Sequence, residues 1–194
     1  MADPRSDWRR TSLPEVLLRD ATAVADARGS FTELWRAAGT APLTGEPFVQ
    51  ANLSRSQPRV LRGLHLHRRQ WDLWSVISGD GVVALVDVRP AIDGDAPPVT
   101  ELITLHPGSQ LLIPRYVAHG FYARTEIVLA YLVTREYDGT DELGFAWDDP
   151  EVGVPWPDAS PILSDRDQAN PSLRGLLDRL RRDAATDQGQ PSSR

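Results

Sequence analysis

Apolar and polar positions alternate in short runs along most of the chain. From Gly81 to Arg89, Val82, Ala84, Val86 and Val88 interleave with Val83, Leu85, Asp87 and Arg89, a period of two that turns one set toward a core. Comparable runs predict strands over Phe48 to Ser54, Val60 to His67, Trp71 to Ser78, Leu102 to His106, Gln110 to Ile113 and Ile127 to Thr134. Fourteen Gly and 16 Pro punctuate these runs, and Ser78-Gly79-Asp80-Gly81 reads as a hairpin turn in which glycine supplies positive φ. Many short strands between turn residues favour an all-β jelly-roll barrel. One stretch departs from this rhythm: Leu173, Leu176, Leu177 and Leu180, opened by Pro171-Ser172, have helical spacing and predict a short amphipathic helix outside the barrel. Ala91 to Pro98 reads as a loop, and the polar stretch from Ala184 to Arg194 is expected to be disordered, leaving residues 1–183 as a single domain.

Composition narrows the chemistry. A chain of 194 residues suits one domain, and no apolar run approaches the roughly 20 residues of a membrane span. The first ten residues lack the apolar stretch of a secretory signal, so a cytoplasmic protein without membrane attachment is expected. A net charge of −6 argues against a general nucleic-acid binder, which needs clustered positive charge. There is no cysteine, which excludes thiolate catalysis, and no lysine, which excludes a Schiff base. All 21 basic residues are arginine, whose planar fork suits phosphate.

The strongest local signal is Leu61-Arg62-Gly63-Leu64-His65-Leu66-His67. On a regular strand His65 and His67 share a face and Arg62 lies on the other. A third histidine, His119, follows a proline in Ile113-Pro114-Arg115-Tyr116-Val117-Ala118-His119-Gly120-Phe121. Taken locally, Tyr131 could equally fill a barrel, Asp167 could cap a turn or helix ahead of Pro171, and Arg28 and Arg62 could be surface cations.

Several segments together resemble the dTDP-4-dehydrorhamnose 3,5-epimerase family. Asp26-Ala27-Arg28-Gly29-Ser30-Phe31-Thr32-Glu33 is similar to that family's entry motif, Phe48 to Ser54 to its glutamine and asparagine strand, and Arg62-Gly63-Leu64-His65 to its catalytic-histidine motif. Ala118-His119-Gly120-Phe121, Tyr131 to Tyr137, Trp147-Asp148-Asp149-Pro150, Trp156-Pro157 and Leu163 to Asp167 continue the likeness in order, over about residues 15 to 175. The resemblance implies a cupin-like double-stranded β-helix and a homodimeric isomerase that acts without a cofactor at C3 and/or C5 of a dTDP-linked 4-keto-6-deoxysugar. By the same resemblance His65 is the general base, Asp167 orients it, and Tyr131 is the acid on the opposite face. Arg28, Phe31 and Glu33 would reach across a dimer to the nucleotide, Gln50, Asn52, Arg62 and His119 would line the diphosphate end, and Tyr137 would pack near sugar or base.

The pattern breaks in two places. The family's usual lysine falls on Asp72, and an aspartate after the glycine turn is Val83. A carboxylate beside a developing enolate would raise its energy, and Arg68 or Arg69 could supply the cation instead. The departures open an alternative. His65-x-His67, four residues, Asp72, six residues, Gly79, together with His119, resembles a metal-binding cupin motif. On that reading His65, His67, Asp72 and His119 hold a divalent metal acting on a related sugar or small polar substrate. The two readings compete for one lone pair on His65.

Overall fold

The computed structural model describes residues 7–189. Thirteen strands follow in chain order: β1 (Arg9–Arg10), β2 (Leu17–Asp20), β3 (Ala23–Asp26), β4 (Gly29–Thr32), β5 (Gln50–Ser56), β6 (Leu61–Leu66), β7 (Asp72–Ser78), β8 (Gly81–Asp87), β9 (Val99–Leu105), β10 (Ser109–Ile113), β11 (Val117–Ala123), β12 (Ile127–Val133) and β13 (Leu143–Gly144). Four helices interrupt or follow them: α1 (Ala37–Thr44), α2 (Arg89–Asp93), α3 (Asp165–Gln168) and α4 (Leu173–Gly189). A six-stranded sheet in the order β1-β2-β10-β7-β12-β5 faces a five-stranded sheet in the order β13-β6-β11-β8-β9, while β3 and β4 form a separate ribbon. This is the jelly-roll barrel that the alternating pattern predicts.

Period-two alternation explains how the layers are filled. Along β7, β10 and β12 the inward set (Trp74, Val76, Leu111, Ile113, Ile127, Leu129) joins Val83, Leu85 and Phe121 of the facing sheet in one core. The outward set of that wall is covered too: Leu73 and Leu112 pack with Trp8, Phe48 and Trp71. Strand β8 is buried at every position because Ala84 and Val86, on its outer face, lie under α4 with Val88 just beyond the strand. The four leucines of the predicted helix, Leu173, Leu176, Leu177 and Leu180, are the residues that make this contact. Burying each contributes roughly 2 kcal/mol, so tertiary packing rather than helix propensity holds this arginine-rich helix in place.

Several features differ from the sequence expectations. Helix α4 continues to Gly189, so residues 184–189 of the expected tail are helical, and 190–194 lie outside the described residues. Arg89, placed at a strand end, instead opens α2, with Pro90 where a helix tolerates it, and this helix takes up the first part of the expected loop. Helix α1 and the ribbon β3–β4 are further additions. So is β11, whose interior Gly120 has no room for a side chain: a Cβ there would lie 2.6 Å from the Arg62 carbonyl oxygen. The glycine marks close backbone approach rather than a chain reversal.

Candidate active site

That approach shapes the site. In the β6–β11 pair His119 lies opposite His65, but Phe121 lies opposite Arg62, so β6 carries one extra residue between these pairs. Gly63, at φ 123°, occupies the bulge, and a side chain on it would come within 2.5 Å of the Gly120 Cα. The bulge reverses the alternation. Arg62, expected on the face opposite His65 and His67, therefore lines the same cavity as both. The cavity, about 530 Å³, lies between the two sheets, with Trp74, Phe121 and Leu129 as its apolar floor.

His65 projects from β6, and its Nε2 lies 2.6 Å from Asp167 Oδ1. Asp167 comes from α3, whose N-cap, Ser164, accepts the Asp167 amide at 3.1 Å and donates its hydroxyl to Oδ2 at 2.9 Å. This Ser-x-x-Asp capping pair holds the carboxylate rigid. Burial alone would push the Asp167 carboxyl up; hydrogen bonding and charge from His65, the Ser164 hydroxyl and Arg166 outweigh it and leave the group below its ordinary range. An ionised carboxylate can only accept, so His65 Nε2 carries the hydrogen and Nδ1 keeps the lone pair.

Tyr131 lies on β12, in the opposite wall of the same cavity. Partial burial, followed by the charges of Asp72 and Glu142, pushes its phenol above the ordinary 10.0 against the opposing effect of Arg62. It stays a proton donor through the neutral range. An imidazole lone pair and a phenolic hydrogen thus face one cavity from two sheets, the layout needed to remove a proton from one face of a ring and deliver one to the other.

The four-residue metal set is not assembled. His67, Asp72 and His119 converge, all buried, but His65 is engaged by Asp167 and stands outside the group. The alternative of a metal-dependent enzyme built on His65 is therefore corrected. Asp72 is held by its neighbours in the chain: Gln70 Nε2 donates to its Oδ1 at 2.8 Å, and Trp74 Nε1 approaches Oδ2 at 3.4 Å. Of the two arginines suggested as substitute cations, Arg69 lines the cavity, while Arg68 binds Asp141 and Asp183.

Gln50, Asn52, Arg62, His119 and Tyr137 line the cavity. Gln50 Nε2 donates to Asn52 Oδ1 at 2.8 Å, and Gln50 Oε1 accepts the Tyr137 amide at 2.9 Å. Burial drives the His119 imidazole down to about 4, more than the facing Asp72 carboxylate restores, so the ring is neutral. Arg28, Phe31 and Glu33 are elsewhere. They sit on or beside the β3–β4 ribbon, with Arg28 paired to Asp26, Glu33 to Arg36, and Phe31 72% exposed. Sequence reasoning passed over Ser164 and the ion pairs Arg135–Glu46 and Arg166–Glu142. The Ser-x-x-Asp spacing was the available signal for Ser164; the ion pairs span 24 residues or more and left none.

A jelly-roll barrel enclosing an imidazole–carboxylate pair opposite a phenol is the frame of a proton-transfer isomerase. A family model described as dTDP-4-dehydrorhamnose 3,5-epimerase matches residues 10–175, and the chain belongs to this family. It is 33% identical over 175 residues to the dTDP-4-dehydrorhamnose 3,5-epimerase of Escherichia coli K12, covering 87% of this chain and 95% of that one. Among solved structures it resembles the Legionella pneumophila dTDP-6-deoxy-D-glucose-3,5-epimerase RmlC in complex with dTDP-4-keto-L-rhamnose, with a TM-score of 0.77, 32% identity and coverage of 86% and 92%. It also resembles NovW, a 4-keto-6-deoxy sugar epimerase from the novobiocin gene cluster of Streptomyces spheroides, with a TM-score of 0.79, 29% identity and 90% coverage of each chain.

Proposed function

We propose that this protein epimerises a dTDP-linked 4-keto-6-deoxysugar at C3 and/or C5 in deoxysugar biosynthesis. A hydrogen on carbon next to a ketone is acidic because its removal gives an enolate. His65 takes that hydrogen through its free lone pair, Asp167 steadies the imidazolium that forms, and Tyr131 returns a proton from the opposite wall. Proton removal and return need no organic cofactor. The observation that carries the reading is the 2.6 Å His65–Asp167 contact, in a cavity whose other wall presents Tyr131.

Gln50, Asn52 and Arg62 take the diphosphate end, His119 lines the cavity beside them with its Nδ1 hydrogen already given to the Val117 carbonyl, and Tyr137 packs near sugar or base. Arg28, Phe31 and Glu33 complete the site from the partner subunit of a homodimer. This is supported by the ribbon's separation from both barrel sheets and by two exposed apolar residues on it, Val24 at 67% and Phe31 at 72%. No helix of the described residues is long and apolar enough to cross a membrane, and the protein is proposed to work in the cytoplasm. Incubation with dTDP-4-keto-6-deoxyglucose in deuterated water tests the reaction. Deuterium should enter at C3, at C5, or at both; absence at both carbons would overturn the assignment for this sugar, and entry at one alone would define a mono-epimerase.

A further inference from the structure

We propose that His67, Asp72 and His119 form a binding site for one divalent transition-metal ion of borderline softness, separate from His65. The argument begins with hydrogen bonds that fix both imidazoles. His67 Nδ1 lies 2.8 Å from the Asp141 carbonyl oxygen, and His119 Nδ1 lies 3.0 Å from the Val117 carbonyl oxygen. A carbonyl oxygen only accepts, so each Nδ1 carries the hydrogen, and Nε2 is the nitrogen of each ring that can offer a lone pair. The third member, Asp72, is an acceptor as well. One potential ligand atom from each of the three lies within 4.8 Å of the others, and all three residues are buried.

Acceptors gathered in a buried space need something positive between them. The spacing separates two candidates. His119 Nε2 is 3.6 Å from Asp72 Oδ2, too far for a proton shared directly between them. Two ligands each about 2.1 Å from a tetrahedral ion lie about 3.4 Å apart, close to the observed separation. Two imidazoles and one carboxylate suit zinc, nickel, cobalt or ferrous iron better than magnesium or calcium. Each ligand already has an outer partner that would orient it: main-chain carbonyls for the histidines, and Gln70 with Trp74 for Asp72. All three residues line the cavity, so the remaining coordination positions open into it. The site rests on these side chains alone and stands whether or not the epimerase reading does.

The test uses the full-length protein stripped of metal with a chelator, then titrated with Zn²⁺, Ni²⁺ or Co²⁺ alone. About one ion per chain should bind, with a rise in thermal midpoint and weaker binding as the pH falls, because the ligands must be deprotonated. Co²⁺ bound to the unmutated protein should show the visible absorption of a low-coordinate nitrogen–oxygen site, a readout that needs no variant. His67→Gln and Asp72→Asn should each lose the ion, while His65→Asn keeps it. Failure of folded, unmutated protein to take up any of the three ions overturns the site, as does a bound Co²⁺ with the spectrum of the hexa-aqua ion. Loss of uptake in His65→Asn would overturn the separation from the base.

Discussion

Two histidines two residues apart, His65 on β6 and His67 just past its end, meet opposite kinds of partner. His65, partly exposed, faces an ionised carboxylate brought by α3, while buried His67 gives its Nδ1 hydrogen to a main-chain carbonyl and turns its other nitrogen toward further acceptors. Strand geometry gives both rings a common face, and the elements packed against that face give them different chemistry. One corner of the cavity is a matched donor–acceptor pair able to move a proton; the other is an assembly of lone pairs suited to a cation.

Substitutions can break this contrast, beginning with the largest effect. His65→Asn should lower deuterium entry by about 10³-fold while the fold survives, since a positioned base contributes roughly 10²–10⁴-fold; a variant within a few-fold of the parent would remove His65 from the chemistry. Tyr131→Phe should cut formation of inverted sugar by roughly 10²-fold and spare exchange on the His65 side, which comparison of solvent exchange with product stereochemistry would reveal. Asp167→Asn should lower kcat by about 10-fold, the equivalent of ~1.4 kcal/mol, with little change in KM. Arg28→Ala should instead raise KM by roughly 5-fold and leave kcat near its starting value, the signature of lost binding.

The smallest effect sharpens the comparison through pH. The Asp167 carboxyl is lowered in the folded protein, so its contribution to stability is present above the ordinary 3.8 and is lost as the pH falls through the still lower folded value. Denaturant unfolding of the parent and of Asp167→Asn should show a stability gap that is constant near neutrality and narrows only below pH 3.8. A gap that closed near pH 6 would assign the effect to another group.

Much of the barrel was legible because period two and helical spacing are local properties. Val82 to Val88 and the leucines of α4 announced their faces, and the structure shows those faces meeting each other. What stayed hidden depends on distant partners. Arg62 changes face because Gly63 and Gly120 let two backbones close in, a contact invisible in either segment alone. The departure of His65 from the suggested metal ligands follows from Asp167, 102 residues away, and the support for Asp72 follows from Gln70 and Trp74 rather than from any arginine. The ribbon β3–β4 escaped notice because nearly all its positions are exposed and carry little apolar alternation.

The 102-residue gap between His65 and its carboxylate also sets an order of events during synthesis. A nascent chain that has left the ribosome only as far as β12 contains the imidazole and the phenol but no Asp167. Its ring is not yet steered, so the imidazole–carboxylate pair is completed only when α3 docks on β6.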